Sequence, residues 1–278
     1  MAGRICVVTD STADLPAELA QEYGITVVPI YVRFGEHVYR DRIDLTPGQF
    51  YRQLTSSATV PSTSQPSPED FSKTYSELAA GSGGIVSIHL SSKISGTYNS
   101  ALLAKHLLPP KFPVEVIDSR FNSAGLALAV LTAARSAKEG KNLHAITADV
   151  SKTLSGIKMF GMFSTVKYLA RSGRVNKAIA IAGSILNVKP LLTFRDGEVV
   201  RAGFVRTVPQ GINRIVKFIE SRSPISELMI VHSEIPEQAD RLKQLASAYV
   251  DPHKIIVSEL GAALGVHGGP GVLLVAAH

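Results

Sequence analysis

Residues 85–101 read I-V-S-I-H-L-S-S-K-I-S-G-T-Y-N-S-A. Residues 85–90 form an apolar run without strict alternation, the pattern of a strand buried on both faces. The run stops in small hydroxyl residues, and from Gly96 the chain reads as a helix over 97–108. Such a junction gathers unpaired amide N–H groups and the positive end of a helix dipole, which suits an anion. Ser95, Gly96 and this helix start are therefore read as a carboxylate site.

The same strand-to-helix grammar extends to both sides. Residues 5–8 are apolar and end in Thr9-Asp10-Ser11. Asp14 and Pro16 then open a helix that closes at Gly24. A second apolar run, 25–34, turns at Gly35, and Thr46-Pro47 starts a short helix. Residues 114–117 are another strand, ending in Asp118-Ser119. Residues 123–138 are an apolar helix closed by Gly140, and a further helix runs from 143 to about 155. Non-alternating strands alternating with helices predict a parallel sheet covered on both faces. Ligands in such sheets sit at the carboxyl ends of the strands. Asp10-Ser11, residues 91–96 and Asp118-Ser119 all fall on that edge. The polar stretch 55–68 has the composition of a linker, but it lies between two helices, is stiffened by prolines and runs into a clean helix start at Ser67-Pro68-Glu69. We read it as an ordered wall of hydroxyls facing a ligand.

After about residue 156 the pattern changes. Residues 158–164 read as a strand, and 166–169 and 176–186 as helices. Strands over 188–194 and 198–204 are joined by Asp196-Gly197, a strong hairpin signal. A helix over 210–220, a strand over 227–231, a helix over 236–249 and strands over 254–258 and 271–276 complete the chain. The expectation is an α/β protein of two domains. Residues 1–156 would form a Rossmann-like parallel sheet with helices on both faces and carry the carboxylate-binding loops. Residues 157–278 would form a second α/β domain on a mixed sheet.

Composition narrows the function. The 278 residues are 45% hydrophobic and 19% charged, ordinary for a globular protein. Formal charge is +6, from 29 basic and 23 acidic residues. The basic residues are scattered, aromatics are 6% and Trp is absent, so a nucleic-acid partner is not indicated. Cys6 is the single cysteine and sits in an apolar run. No internal disulfide can form, which fits a reducing cytoplasm. The N-terminal apolar run is too short for a signal peptide and no run reaches membrane-span length, which leaves room only for transient membrane contact.

Familiar catalytic signatures are missing: no G-x-x-x-x-G-K-[ST], G-x-S-x-G, H-E-x-x-H or G-x-G-x-x-G occurs. No cofactor and no metal are indicated. Asp10 reads as a turn-forming carboxylate ahead of a phosphoryl acceptor or metal ligand. Ser95 is a helix cap, a ligand hydroxyl or a nucleophile. His267, wrapped in G-V-H-G-G-P-G (265–271), is a donor to an anion or a base to a serine. Arg171, Arg174, Arg201 and Arg206 form a second anion site or a docking face, unless they are plain solvated surface; Arg206-Thr207, at a strand end, is the best placed.

These residues, taken together, resemble the DegV family. D-S-T-A-D-L-P (10–16), T-S-Q-P-S (63–67), S-S-K-I-S-G-T-Y-N-S-A (91–101), Y-L-A-R-S-G-R (168–174), V-K-P-L-L-T-F-R-D-G (188–197) with Arg206-Thr207, and G-V-H-G-G-P-G (265–271) occur in that family's order. The resemblance implies a bacterial protein with a long-chain fatty acid in a tunnel between two α/β domains. It also implies that some members act as the acyl-binding (FakB) subunit of fatty acid kinase, presenting the carboxylate for acyl-phosphate formation, and on that reading this chain is a carrier for such a kinase and not itself an enzyme. Carried over by position, Thr63, Ser64, Ser95 and Gly96 would hold the carboxylate with His267 nearby. Arg206 would touch the head group or the phosphoryl group, and Arg171 and Arg174 would dock the partner. Small residues in 124–134 would leave space for the acyl chain, and Met159, Phe160, Met162 and Phe163 would line it. The rivals are a serine hydrolase of acyl esters, with Ser95 as nucleophile and His267 as base, and a binding protein for a small polar acid.

Overall fold

A strand, a turn and a helix repeat along the first half of the chain, and the computed structural model shows what they build. It describes residues 3–108, 112–172 and 188–278. Strands β1 (Ile5–Asp10), β2 (Ile25–Val28), β6 (Gly84–His89) and β7 (Val114–Asp118) form a parallel sheet in the order β2-β1-β6-β7. Alternate residues of these strands serve different cores. Val8 and Ile85 pack on Phe71 and Tyr75 of helix α3 (Pro68–Ala79) and on Ala101 and Ala104 of helix α4 (Thr97–Lys105). Val7, Val86 and Ile88 face the other way, onto helix α5 (Ser123–Lys138). Both faces are covered, as the continuous apolar runs require. Cys6 is partly buried beside the first of these cores.

The apolar run 25–34 is not one strand. Pro29 brings no N–H to a ladder, and the run divides there. Its second half, β3 (Tyr31–Phe34), joins a separate three-stranded antiparallel sheet between β4 (His37–Arg40) and β5 (Ser62–Ser64). The polar stretch 55–68 thus contributes a strand, in the register Tyr31↔Ser64, Val32↔Thr63 and Arg33↔Ser62. Helix α2 (Pro47–Ser56) and helix α3 both begin in full capping boxes, Thr46 with Gln49 and Ser67 with Asp70.

The second half supplies a six-stranded mixed sheet. Its strands are β8 (Lys158–Met162), β9 (Lys189–Arg195), β10 (Glu198–Val205), β11 (Leu228–His232), β12 (Ile255–Glu259) and β13 (Leu273–Ala277), in the order β10-β9-β8-β13-β11-β12. Only β11 and β12 run parallel. The β9–β10 hairpin turns at Asp196-Gly197, with φ of 51° and 85°, the left-handed pair that a tight hairpin wants. One face packs on helix α8 (Val208–Glu220) and helix α9 (Pro236–Ala246). Helices α1 (Ala17–Tyr23) and α6 (Leu143–Gly156) complete the first half, and α7 (Lys167–Ser172) follows β8 in the second. The helix expected over 176–186 lies outside the described residues.

The other face of the mixed sheet meets α5. One continuous core runs from Val7 and Ile88 through Leu126, Leu128 and Leu131 to Met229, Val231, Leu274 and Ala276. A helix apolar all round is buried all round, and α5 is the layer shared by the two sheets. Its small residues are consumed by this close approach: a Cβ on Gly125 would lie 2.6 Å from Met159 Sδ and 2.9 Å from Phe121 Cβ. At its far end Arg135 forms a two-pronged ion pair with Glu227, just ahead of β11. Among the described residues no helix is long and apolar enough to cross a membrane.

Candidate functional site

The loop that follows β6 is tied at each step. Leu90 N donates to Asp10 Oδ2 at 3.1 Å, and Thr12 N to Asp10 Oδ1 at 3.1 Å. Asp10 Oδ2 also pairs with His89 Nδ1 at 3.0 Å. Asp10 thus caps its own turn, as its place in the sequence predicts, and also holds the end of β6 and the start of the loop that follows it. Ser92 binds Asp118, and the Ser91 hydroxyl donates to the Gly197 carbonyl at 2.7 Å. That last bond ties the hairpin tip to the parallel sheet's carboxyl edge. Ser95 Oγ accepts from Thr97 N at 3.2 Å and shares a hydrogen with Thr97 Oγ1 at 2.9 Å. Opposite it, Gln65 lies flat against Gly96, where a Cβ would come within 2.2 Å of Gln65 Oε1. Gln65 Nε2 donates to Ser100 Oγ at 3.1 Å.

His267 arrives from a helix that local sequence does not announce. Helix α10 (Ala262–Gly268) has Gly261 as its N-cap, with no side chain to offer. Its first amides go to distant carboxylates. Gly261 N donates to Asp14 Oδ1 at 2.8 Å and Ala262 N to Asp41 Oδ1 at 3.0 Å. Arg42 Nη2 donates to Asp14 Oδ1 at 3.0 Å and to the Glu259 carbonyl at 2.6 Å. Burial pushes both carboxyls up, Asp41 to about 6, and the Arg42 guanidinium works against that rise. The helix places His267 Nε2 3.0 Å from Thr63 Oγ1 on β5.

These groups border a cavity of about 670 Å³ between the carboxyl edge of the parallel sheet and the mixed sheet, within the size range of small-molecule sites. Thr63, Ser64, Ser95, Gly96 and His267, all expected from sequence, line it, and so does Gln65. Ser64 and Gln65 are exposed whereas Thr63, Ser95 and His267 are half-buried, so this polar group stands where the cavity meets solvent. Most of the remaining wall is apolar: Leu90, Ile94, Phe163, Leu192, Phe194, Leu260, Leu264 and Leu274 contribute.

Several expectations need correction. Met159 and Phe163 line the cavity and Phe160 borders it, although the Phe160 ring stacks on Phe218 at 5.2 Å on the far face of the mixed sheet; Met162 does not line it. It points to the far face of the mixed sheet, with its sulfur against Gly211. None of residues 124–134 reaches the cavity; their small side chains admit the two sheets to α5. Arg206 and Arg171 are exposed and are not among the described residues of the lining, so the head-group contact expected of Arg206 finds no support there. Arg174 lies outside the described residues. Thr12, Gln65, Asn122, Ser123 and Thr193 line the cavity and were not singled out by sequence. Gln65 lay inside the quoted T-S-Q-P-S motif, and only its contact with Gly96 distinguishes it.

The sequence profile described as "Uncharacterised protein, DegV family" matches residues 4–278. The chain belongs to the DegV family. A DegV domain-containing protein of Caldanaerobacter subterraneus subsp. tengcongensis is 34% identical over 270 residues, 96% of each chain. Among solved structures, a DegV family protein from Thermus thermophilus, described by its fatty acid binding, superposes with a TM-score of 0.91 at 35% identity, covering 99% of both chains. DegV from Bacillus subtilis, described as a fatty acid binding protein, superposes with a TM-score of 0.90 at 31% identity, covering 99% of this chain and 98% of that one. The two-domain α/β architecture of this DegV chain is thus the architecture of fatty-acid-binding relatives.

Proposed function

We propose that this chain binds a long-chain fatty acid in the cavity between the two sheets and presents its carboxylate to a fatty acid kinase in the cytoplasm, without itself being a catalyst. In this reading residues 1–156 carry most of the carboxylate-binding loops and residues 157–278 close the tunnel, lending His267. The observation that carries it is a cavity walled mostly by apolar side chains with Thr63, Ser64, Ser95, Gly96 and His267 grouped at its exposed side.

The energetics agree. Burying an acyl chain yields roughly 0.8 kcal/mol per CH₂, about 10 kcal/mol for a dozen carbons, which is of the order of the cost of association and grows with each further carbon. A carboxylate is costly to desolvate unless several donors meet it. The Thr63, Ser64 and Ser95 hydroxyls, the Gly96 amide and the His267 imidazole offer such a set. Its position beside solvent leaves the head group within reach of a partner. The exposed Arg206 and Arg171 are available for that partner. The description of the Thermus thermophilus and Bacillus subtilis relatives as fatty-acid-binding supports the ligand class.

Neither rival gains from the geometry. The hydroxyl 3.0 Å from His267 Nε2 is Thr63's, whereas Ser95 is paired with Thr97. A small polar acid would leave the long apolar wall uncovered. Native mass spectrometry of the protein purified from bacteria tests the proposal. A bound fatty acid is the expected result. A ligand-free chain that takes up no palmitate when offered it contradicts the proposal.

A further inference from the structure

Helix α10 has seven residues. A helix this short has no stability of its own, so tertiary contacts set where it points. Its two leading amides are held by carboxylates 247 and 221 positions away in sequence. Negative charge at a helix start is favourable, and the fit is close. A Cβ on Gly261 would lie 3.0 Å from Arg42 Nε, 3.1 Å from Asp14 Oδ1 and 3.2 Å from Asp41 Oδ2.

The two carboxylates also connect to the rest of the site. Asp14 Oδ2 accepts from Ser123 Oγ at 2.6 Å, and Ser123 lines the cavity. Asp41 directly follows β4, whose partner β3 pairs with the Thr63 strand. Asp41 N donates to the Ile30 carbonyl at 2.9 Å, just ahead of β3. A closed circuit results: Thr63 on β5, β3, Asp41, the start of α10, His267, and back to Thr63.

We propose that Asp14 and Asp41 are positioning residues for His267: by gripping the first turn of helix Ala262–Gly268, Asp14 from the turn after β1 and Asp41 from the end of β4 in the sheet that carries Thr63, they fix the imidazole against Thr63 and against the ligand's carboxylate. The ligand half of this statement rests on the fatty-acid reading above; the imidazole half does not.

The test uses the full chain and three readouts: His267 ring ¹⁵N resonances, assigned with His267→Gln; palmitate affinity; and melting temperature. Asp41→Ala removes the acceptor for Ala262 N. It is expected to move the His267 ring resonances and to weaken palmitate binding roughly tenfold. Asp41→Asn keeps an oxygen in that place and is expected to restore both. Ring resonances that stay put in Asp41→Ala overturn the proposal, even if melting shifts, because the role is then only structural. Should Asp41→Ala not fold, Asp14→Ala takes its place. It removes the acceptor for Gly261 N, and unmoved resonances there overturn the proposal equally. Ring resonances that move in a protein that binds no palmitate support the positioning role and overturn the fatty-acid reading alone.

Discussion

Thr63 and His267 stand 204 positions apart in sequence and share a hydrogen bond of 3.0 Å. One belongs to a strand assembled from a Ser/Thr/Pro stretch, the other to a helix capped by remote carboxylates. Their meeting defines the polar side of the cavity.

Replacing Thr63 by Val keeps the shape and removes the hydroxyl. A hydrogen bond to a charged group contributes about 1.5–3 kcal/mol, so palmitate affinity should fall roughly tenfold or more. Thr63 is only half-buried, and melting should hardly move. Displacement of a fluorescent fatty acid measures the first and calorimetry the second. Unchanged affinity would place the carboxylate elsewhere.

Ser95 bonds the start of α4 and is proposed to hold the carboxylate, and its substitution should show both roles. Its hydroxyl accepts from Thr97 N at the start of α4, a contact of the capping kind worth about 1 kcal/mol. Ser95→Ala should therefore lower melting by about 2–4 °C and also weaken palmitate binding. A loss of stability with full affinity would reduce Ser95 to a cap.

Asp41 makes stability depend on pH in a stated direction. Its carboxyl titrates near 6 in the folded chain against an ordinary 3.8. The folded state binds the proton more tightly, so this group's contribution is fully present below pH 3.8 and is lost as pH rises through 6. Wild type should gain on Asp41→Asn by on the order of 3 kcal/mol between pH 7 and pH 4. Urea denaturation of both proteins across that range measures the difference. A flat difference would show that burial does not perturb Asp41.

Arg206 separates ligand binding from partner contact. It is exposed and is not among the described lining residues. Arg206→Ala should leave palmitate affinity unchanged and slow acyl-phosphate formation when a fatty acid kinase catalytic subunit and ATP are supplied. A loss of palmitate affinity would return Arg206 to the head group.

What was legible in sequence was what local physics decides. The apolar runs fixed the parallel strands. The all-round apolar helix over 123–138 formed with those bounds. Asp196-Gly197 turned the hairpin because both residues take positive φ. The Ser95 hydroxyl came to the cavity because it follows the carboxyl end of β6, whereas those of residues 63 and 64 come to it on β5 of the separate sheet. What stayed hidden depends on distant partners. Residues 62–64 have little strand propensity and form β5 only by pairing with β3. Helix α10 lacks a local cap, since its caps sit at Asp14 and Asp41. Met162 has the right chemistry for a lipid wall, and sheet parity alone turns it to the other face. The small residues of α5 signalled room, but that room is filled by two sheets.

Palmitate labelled with ¹³C at its carboxyl carbon reports where the carboxylate rests. Bound to the protein, the labelled carbon should give a single resonance shifted from the free acid and cross-relaxation to protons of Thr63, Ser95 and His267. A labelled carbon that keeps the free acid's shift and titration, or that relaxes only with apolar side chains, would contradict the account.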